Sequence, residues 1–163
     1  SSGQPPGYRV LPLTSNVMRQ GNSCAHSRLG GRMPKHGTFF WNQLVTPDQE
    51  KCGEFYCGLL GWNRRAVDAG PFGTYTIFSS GGIDVGGMMN PTTEYSRSRP
   101  PWWQAFIAVA DVDVCVSRVV ALGGTVIEPP HDVPSVGRAC MVADPSGAVV
   151  QLITPVPATT NAA

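Results

Sequence analysis

The sequence predicts an α+β fold built from two βαβββ modules. Three observations carry this: a faint internal repeat, the same order of strand and helix signals in both halves, and a composition of short elements. The 163 residues include 19 glycines and 15 prolines, which favours turns and short strands over long helices. The segment from Phe39 to Pro91 slides forward onto the second half. Asp48 falls on Asp111, and Leu59 and Gly61 fall on Leu122 and Gly124, at an offset of 63. After one residue of slack, Gly73 falls on Gly137 and Pro91 on Pro155, at 64. The modules are therefore set at residues 37–91 and 101–155, with an irregular arm over 1–36 and a tail over 156–163.

The first module opens with Thr38–Val45, rich in the aromatic and branched side chains of strands. Thr46, Pro47 and Gln49 then read as N-cap, first helical residue and capping-box partner. Cys52, Phe55, Tyr56, Leu59 and Leu60 recur at helical spacing, and Gly61 supplies a left-handed stop. Trp62–Val67, Thr74–Phe78 and Ile83–Met89 are strands separated by Gly-rich turns. Pro91–Pro101 is a linker. In the second module Trp102–Ala110 is the strand, and Asp111 or Asp113 caps a helix carrying Val112, Val116, Val119, Val120 and Leu122. Gly123-Gly124 stops it. Thr125–Glu128, Arg138–Ala143 and Ala148–Thr154 complete the module, the last two joined by the Asp144-Pro145-Ser146-Gly147 turn.

Composition narrows the function. With 42% hydrophobic and 14% charged residues the chain can fill a core. Twelve basic and eleven acidic side chains leave +1, too little to hold a nucleic-acid backbone. Apolar runs fall far short of the roughly 20 residues of a membrane span. Five cysteines at irregular spacing, Cys24, Cys52, Cys57, Cys115 and Cys140, argue for free thiols and a cytoplasmic setting. The arm carries a basic bias but no signal-peptide apolar stretch.

The strand–helix–three-strand order, used twice, combines with "FFWNQLVTPD", "FYCGLLGW", "DVDVCVSRVVALGG" and "PPHDVPSVGRACMVADPSGAVVQL". In these features the chain resembles the vicinal oxygen chelate superfamily of glyoxalase I, extradiol dioxygenases, fosfomycin-resistance enzymes and bleomycin-binding proteins. The resemblance covers about residues 37–155. It implies that the two sheets curl into a cupped, incompletely closed mixed β-barrel with helices outside. It also implies a metal held by one residue from the first and last strand of each module, acting as a Lewis acid.

Carried onto this chain, those positions are Trp41, Gly87, Gln104 and Gln151. An indole, a hydrogen and two neutral amides make a poor transition-metal set without carboxylate or imidazole. The expectation is therefore no cofactor and no conventional divalent metal site. Strand alternation places Phe39, Trp41, Gln43, Val45, Val85, Gly87, Met89, Trp102, Gln104, Phe106, Ala108, Val149, Gln151 and Ile153 inside the cup. Phe40, Leu44, Trp103, Ala105, Ile107, Val109, Val150 and Leu152 then face the helices, a side that Asn42 fits poorly. Rings with a few neutral amides have the character of a small-molecule pocket, with Gly87 leaving room in it. The candidate ligand-binding residues are Phe39, Trp41, Gln43, Gly87, Met89, Trp102, Gln104, Phe106 and Gln151. The function expected is binding of a small, partly aromatic molecule, by a homodimer without nucleic-acid or membrane partners. Two alternatives stand beside it: a lyase or extradiol-type dioxygenase with displaced ligands, and a ligand-free assembly protein. For an enzyme, Glu54, Asp84, Glu94, His131 and Asp132 are the acid–base candidates, with no catalytic role assigned to any of them.

Overall fold

A computed structural model of the chain describes residues 33–156. The arm up to residue 32, with Cys24 and His26, and the tail from residue 157 lie outside the described residues. In chain order the elements are β1 (Thr38–Val45), α1 (Gln49–Leu60), β2 (Asn63–Asp68), β3 (Thr74–Ser80), β4 (Ile83–Met89) and the short α2 (Glu94–Arg97). There follow β5 (Trp102–Ala108), α3 (Val112–Val119), β6 (Thr125–Val133), β7 (Gly137–Ala143) and β8 (Val149–Pro155). All eight strands form one sheet in the order β2-β3-β4-β1-β5-β8-β7-β6. The two halves meet where β1 runs antiparallel to β5, with Gln43 opposite Gln104. Within each half the first strand pairs in parallel with the last, β1 with β4 and β5 with β8, and the other pairs are antiparallel. The end strands β2 and β6 do not pair with each other, so the sheet curls without closing.

The helices lie on the outer face and cover two separate apolar clusters. Under α1, Leu44, Phe78 and Met88 pack with Cys52, Tyr56, Cys57 and Trp62. Under α3, Val109, Val112, Cys140 and Val142 pack with Ile107, Val116, Val150 and Leu152. Leu44, Ile107, Val109, Val150 and Leu152 thus face the helices, as alternation requires. Trp103 reaches the same face, where its Nε1–H donates to the Tyr56 hydroxyl at 2.8 Å.

Local starts and stops depart from the sequence reading in three places. Asp48, not Thr46, caps α1, and its side chain accepts from the Lys51 amide. Thr46 is buried instead and accepts from the Asp48 amide, one step ahead of the helix. The linker contains α2, held by a capping box of Thr93 and Ser96. β6 continues to Val133 through Pro129-Pro130 and His131-Asp132, beyond Glu128 where the sequence places its end. β6 is an edge strand, where missing ladder donors are tolerated.

Phe78 is fully buried between α1 and the sheet. Phe78→Ala is expected to cost about 3–5 kcal/mol of unfolding free energy, read from urea titration. A loss below about 1 kcal/mol would show that this cluster does not hold the first half together.

Candidate functional site

The inner face of the curl encloses a cavity of about 670 Å³. Its lining draws on every strand: Trp41 from β1, Val67 from β2, Tyr75 from β3, Val85 from β4, Gln104 from β5, Glu128 from β6, Met141 from β7 and Gln151 from β8. Strand register explains the arrangement. Trp41 stands opposite Phe106, which stands beside Gln151, which stands opposite Met141. One step along, Gly87, Gln43 and Gln104 form the next row.

Three neutral amides occupy the floor. Gln43, Gln104 and Gln151 are 8%, 4% and 6% exposed. Gln104 Nε2 donates to Gln151 Oε1 at 2.7 Å, and Gln43 Nε2 donates to the Met89 sulfur at 3.1 Å. The Gln104–Gln151 pair presents one outward acceptor and one outward donor, whichever way the two amides are turned.

Of the candidate residues, Trp41, Gln43, Met89, Gln104, Phe106 and Gln151 line the cavity. Phe39, Gly87 and Trp102 do not. Between Phe39 and Trp41 the β1–β5 register slips by one residue. Phe40 is the extra residue; it lines the cavity, while Phe39 pairs with Ile107 on the outer face and is 67% exposed. Trp102 is covered by Tyr95 from α2, ring edge to ring face at 6.5 Å. Gly87 does not open space for a ligand. A Cβ there would run into the Tyr75 ring, so the tyrosine already takes that room.

Tyr75 escaped the sequence reading because β3 carries no motif, although a glycine at an inward position signals a large neighbour. Its hydroxyl accepts from Trp41 Nε1–H at 2.8 Å, keeping its own hydrogen to donate. Burial pushes its ionisation up to about 12, against the opposing pull of the Trp41 bond. The phenol is therefore a neutral donor at physiological pH.

Two further polar groups come from β6. Glu128 and His131 line the cavity, although they are three residues apart and alternation would put them on opposite faces. The register with β7 slips twice, between Val126 and Glu128 and again between Glu128 and His131. Glu128 thereby stands opposite Met141 and His131 opposite Ala139, both on the inner face. Glu128 accepts from the Thr93 hydroxyl. His131 Nδ1 lies 3.0 Å from the Pro129 carbonyl, which can only accept, so that nitrogen carries the hydrogen, and in the neutral ring Nε2 is then the acceptor. Asp84 also lines the cavity but is held by Arg65 at 2.9 Å. Asp132 points to Arg138 instead, and Glu54 and Glu94 lie off the cavity.

The donor set does not fit the divalent ion that the fold implies. Trp41 uses its only polar atom on Tyr75, Gly87 has no side chain, and the two amides bond to each other. Among the described residues no three His, Cys, Asp or Glu side chains come together.

Fold and cavity together define a two-module, curled-sheet scaffold with a cavity on its inner face. Residues 38–152 match the model of the glyoxalase/bleomycin resistance protein/dioxygenase superfamily, and the chain belongs to that superfamily. It is 33% identical over 121 residues to CFP32 of Mycobacterium bovis, which carries a provisional glyoxylase name; the match covers 74% of this chain and 45% of that protein. It is 37% identical over 119 residues to the anthracycline biosynthesis protein DauV of Streptomyces sp. (strain C5), covering 66% and 43%. The chain thus spans less than half the length of these relatives. The fold is shared with methylmalonyl-CoA epimerase from Mycobacterium tuberculosis, at 17% identity and a TM-score of 0.54, covering 80% of this chain and 97% of that one. It is also shared with the Bacillus halodurans protein BH1468, at 13% identity and 0.60, covering 78% and 100%.

Because the folded-state value for Tyr75 lies above that of a free phenol near 10, its contribution to stability is full below about pH 10 and is lost as pH rises toward 12. In a spectrophotometric titration a late phase should coincide with unfolding, and Tyr75→Phe should remove it. A titration without that late phase would show that the phenol is not buried against Trp41.

Proposed function

We propose that this chain binds a small, planar, partly aromatic molecule in the cup, without a chelated divalent cation. The carrying observation is the cavity itself. Its volume of about 670 Å³ suits a drug-sized ligand, and Phe40, Trp41, Phe72 and Phe106 supply flat walls over a floor of neutral amides. A ring system would lie against Trp41 and Phe106. The outward donor and acceptor of the Gln104–Gln151 pair would meet a hydroxyl or carbonyl edge, with the Tyr75 hydroxyl as a second donor. Relatives named for anthracycline biosynthesis support a planar aromatic ligand.

A homodimer and a cytoplasmic setting are companion proposals. Phe55, Leu59 and Leu60 on α1 and the neighbouring Trp103 are exposed apolar side chains of the kind a second copy covers. Cys52, Cys57, Cys115 and Cys140 are unpaired, and no helix among the described residues is long and apolar enough to cross a membrane.

Calorimetric titration with planar hydroxy-aromatic ketones is expected to give saturable binding with quenching of indole fluorescence. Trp41→Ala should weaken it about tenfold, the value of one good stacking contact. No binding by any such compound, or a stoichiometric transition metal in the purified protein, would overturn the reading. Light scattering should return the mass of two chains, and Leu59→Glu should shift it to one.

A further inference from the structure

The charge of the cavity differs from that of the chain. The chain is formally +1, yet Asp68, Asp84 and Glu128 line the cavity and no Lys or Arg among the described residues does. Asp84 is neutralised by Arg65. Glu128 and Asp68 have no cationic partner among the described residues: Glu128 accepts from the Thr93 hydroxyl and Asp68 from the Gly70 amide. Glu128 is half-buried, and Asp68 is exposed. His131 stands on the same inner face of β6 as Glu128, and its neutral ring adds Nε2 as a further acceptor.

The floor points to a ligand independently of these charges. Gln43, Gln104 and Gln151 are each more than nine-tenths buried. Each uses one end on a neighbour, and no partner among the described residues takes Gln43 Oε1, Gln104 Oε1 or Gln151 Nε2. None of these atoms is sealed from solvent, so all three open to the cavity. A packed core does not leave three such ends open.

We infer that the ligand carries a positively charged amine on its aromatic body, and that Glu128 with His131 on β6 is the subsite for that amine. This rests on the binding reading above. An ammonium supplies the charge that Glu128 lacks and donates to both the carboxylate and His131 Nε2. The aromatic rings lining the same cavity favour a cation further. An anionic headgroup would meet two unneutralised carboxylates and, among the described residues, no Lys or Arg. The double bulge makes the subsite: in regular alternation Glu128, in phase with Val126, would face α3.

The test uses the full chain and two probes differing in one group, 2-naphthylmethylamine and 2-naphthylmethanol. The amine should bind about tenfold tighter, as expected for one hydrogen bond to a charged group. Glu128→Gln, which keeps the shape and the bond from Thr93, should abolish the preference, so that the two probes bind alike. In the wild type the preference should shrink at high salt. Equal binding of the probes, a preference that survives Glu128→Gln, or one indifferent to salt overturns this inference and leaves the aromatic cavity standing. Failure of both probes to bind removes the cavity reading and this inference together.

Discussion

The antiparallel pairing of β1 with β5 is the constraint on which the rest depends. It joins the two halves and sets their register, with Gln43 opposite Gln104 and Trp41 opposite Phe106. Side chains alternate with period two, so a slip of one residue would turn either set away from the cavity. The same pairing keeps Leu44 under α1 and Ile107 under α3. One ladder thus divides apolar side chains between two outer clusters and reserves the inner face for rings and amides. The parallel partners β4 and β8 extend these rows, which is how Gln151 comes to meet Gln104.

Much of this was legible in the sequence, because the strongest signals are local. The capping aspartate of α3, the glycine stop of α1 and the alternation of β5 and β8 each arise from a few neighbouring residues. Alternation fails where a bulge intervenes. It misassigned Phe39 and Phe40 because the extra residue in β1 leaves no mark in a run of aromatics. β4 carries another extra residue at Val85, opposite Phe78 and Ser79 of β3. In β6 the two prolines imitate a loop, since only tertiary position shows that an edge strand can omit their donors. Tyr75 was hidden for a different reason. Its role comes from what it fills, the space above Gly87, and that relation spans two strands.

Polarity in the cup was redistributed rather than lost. Where the superfamily resemblance implies four converging ligands, this chain has two closed pairs. Trp41 and Tyr75 satisfy one another at one corner, and Gln104 and Gln151 at the other. A buried charge without a partner is costly, whereas neutral groups that bond to each other are not. The corners can therefore stay folded without an ion, and their remaining donors and acceptors are available to a neutral ligand edge.

Charge enters the cavity by another route, along the outermost strand of the second half. β6 is unprotected on one side, and such edges invite pairing with other chains. Pro129 and Pro130 remove donors there, and the accompanying slips in register twist the strand. Those slips also turn Glu128 and His131 inward. Thr93 of the linker then fixes the carboxylate, and the capping box with Ser96 fixes Thr93. The device that blunts the edge is thus the device that aims the two ionisable groups. It works because a bulge changes side-chain direction locally while leaving the β7 ladder intact on either side.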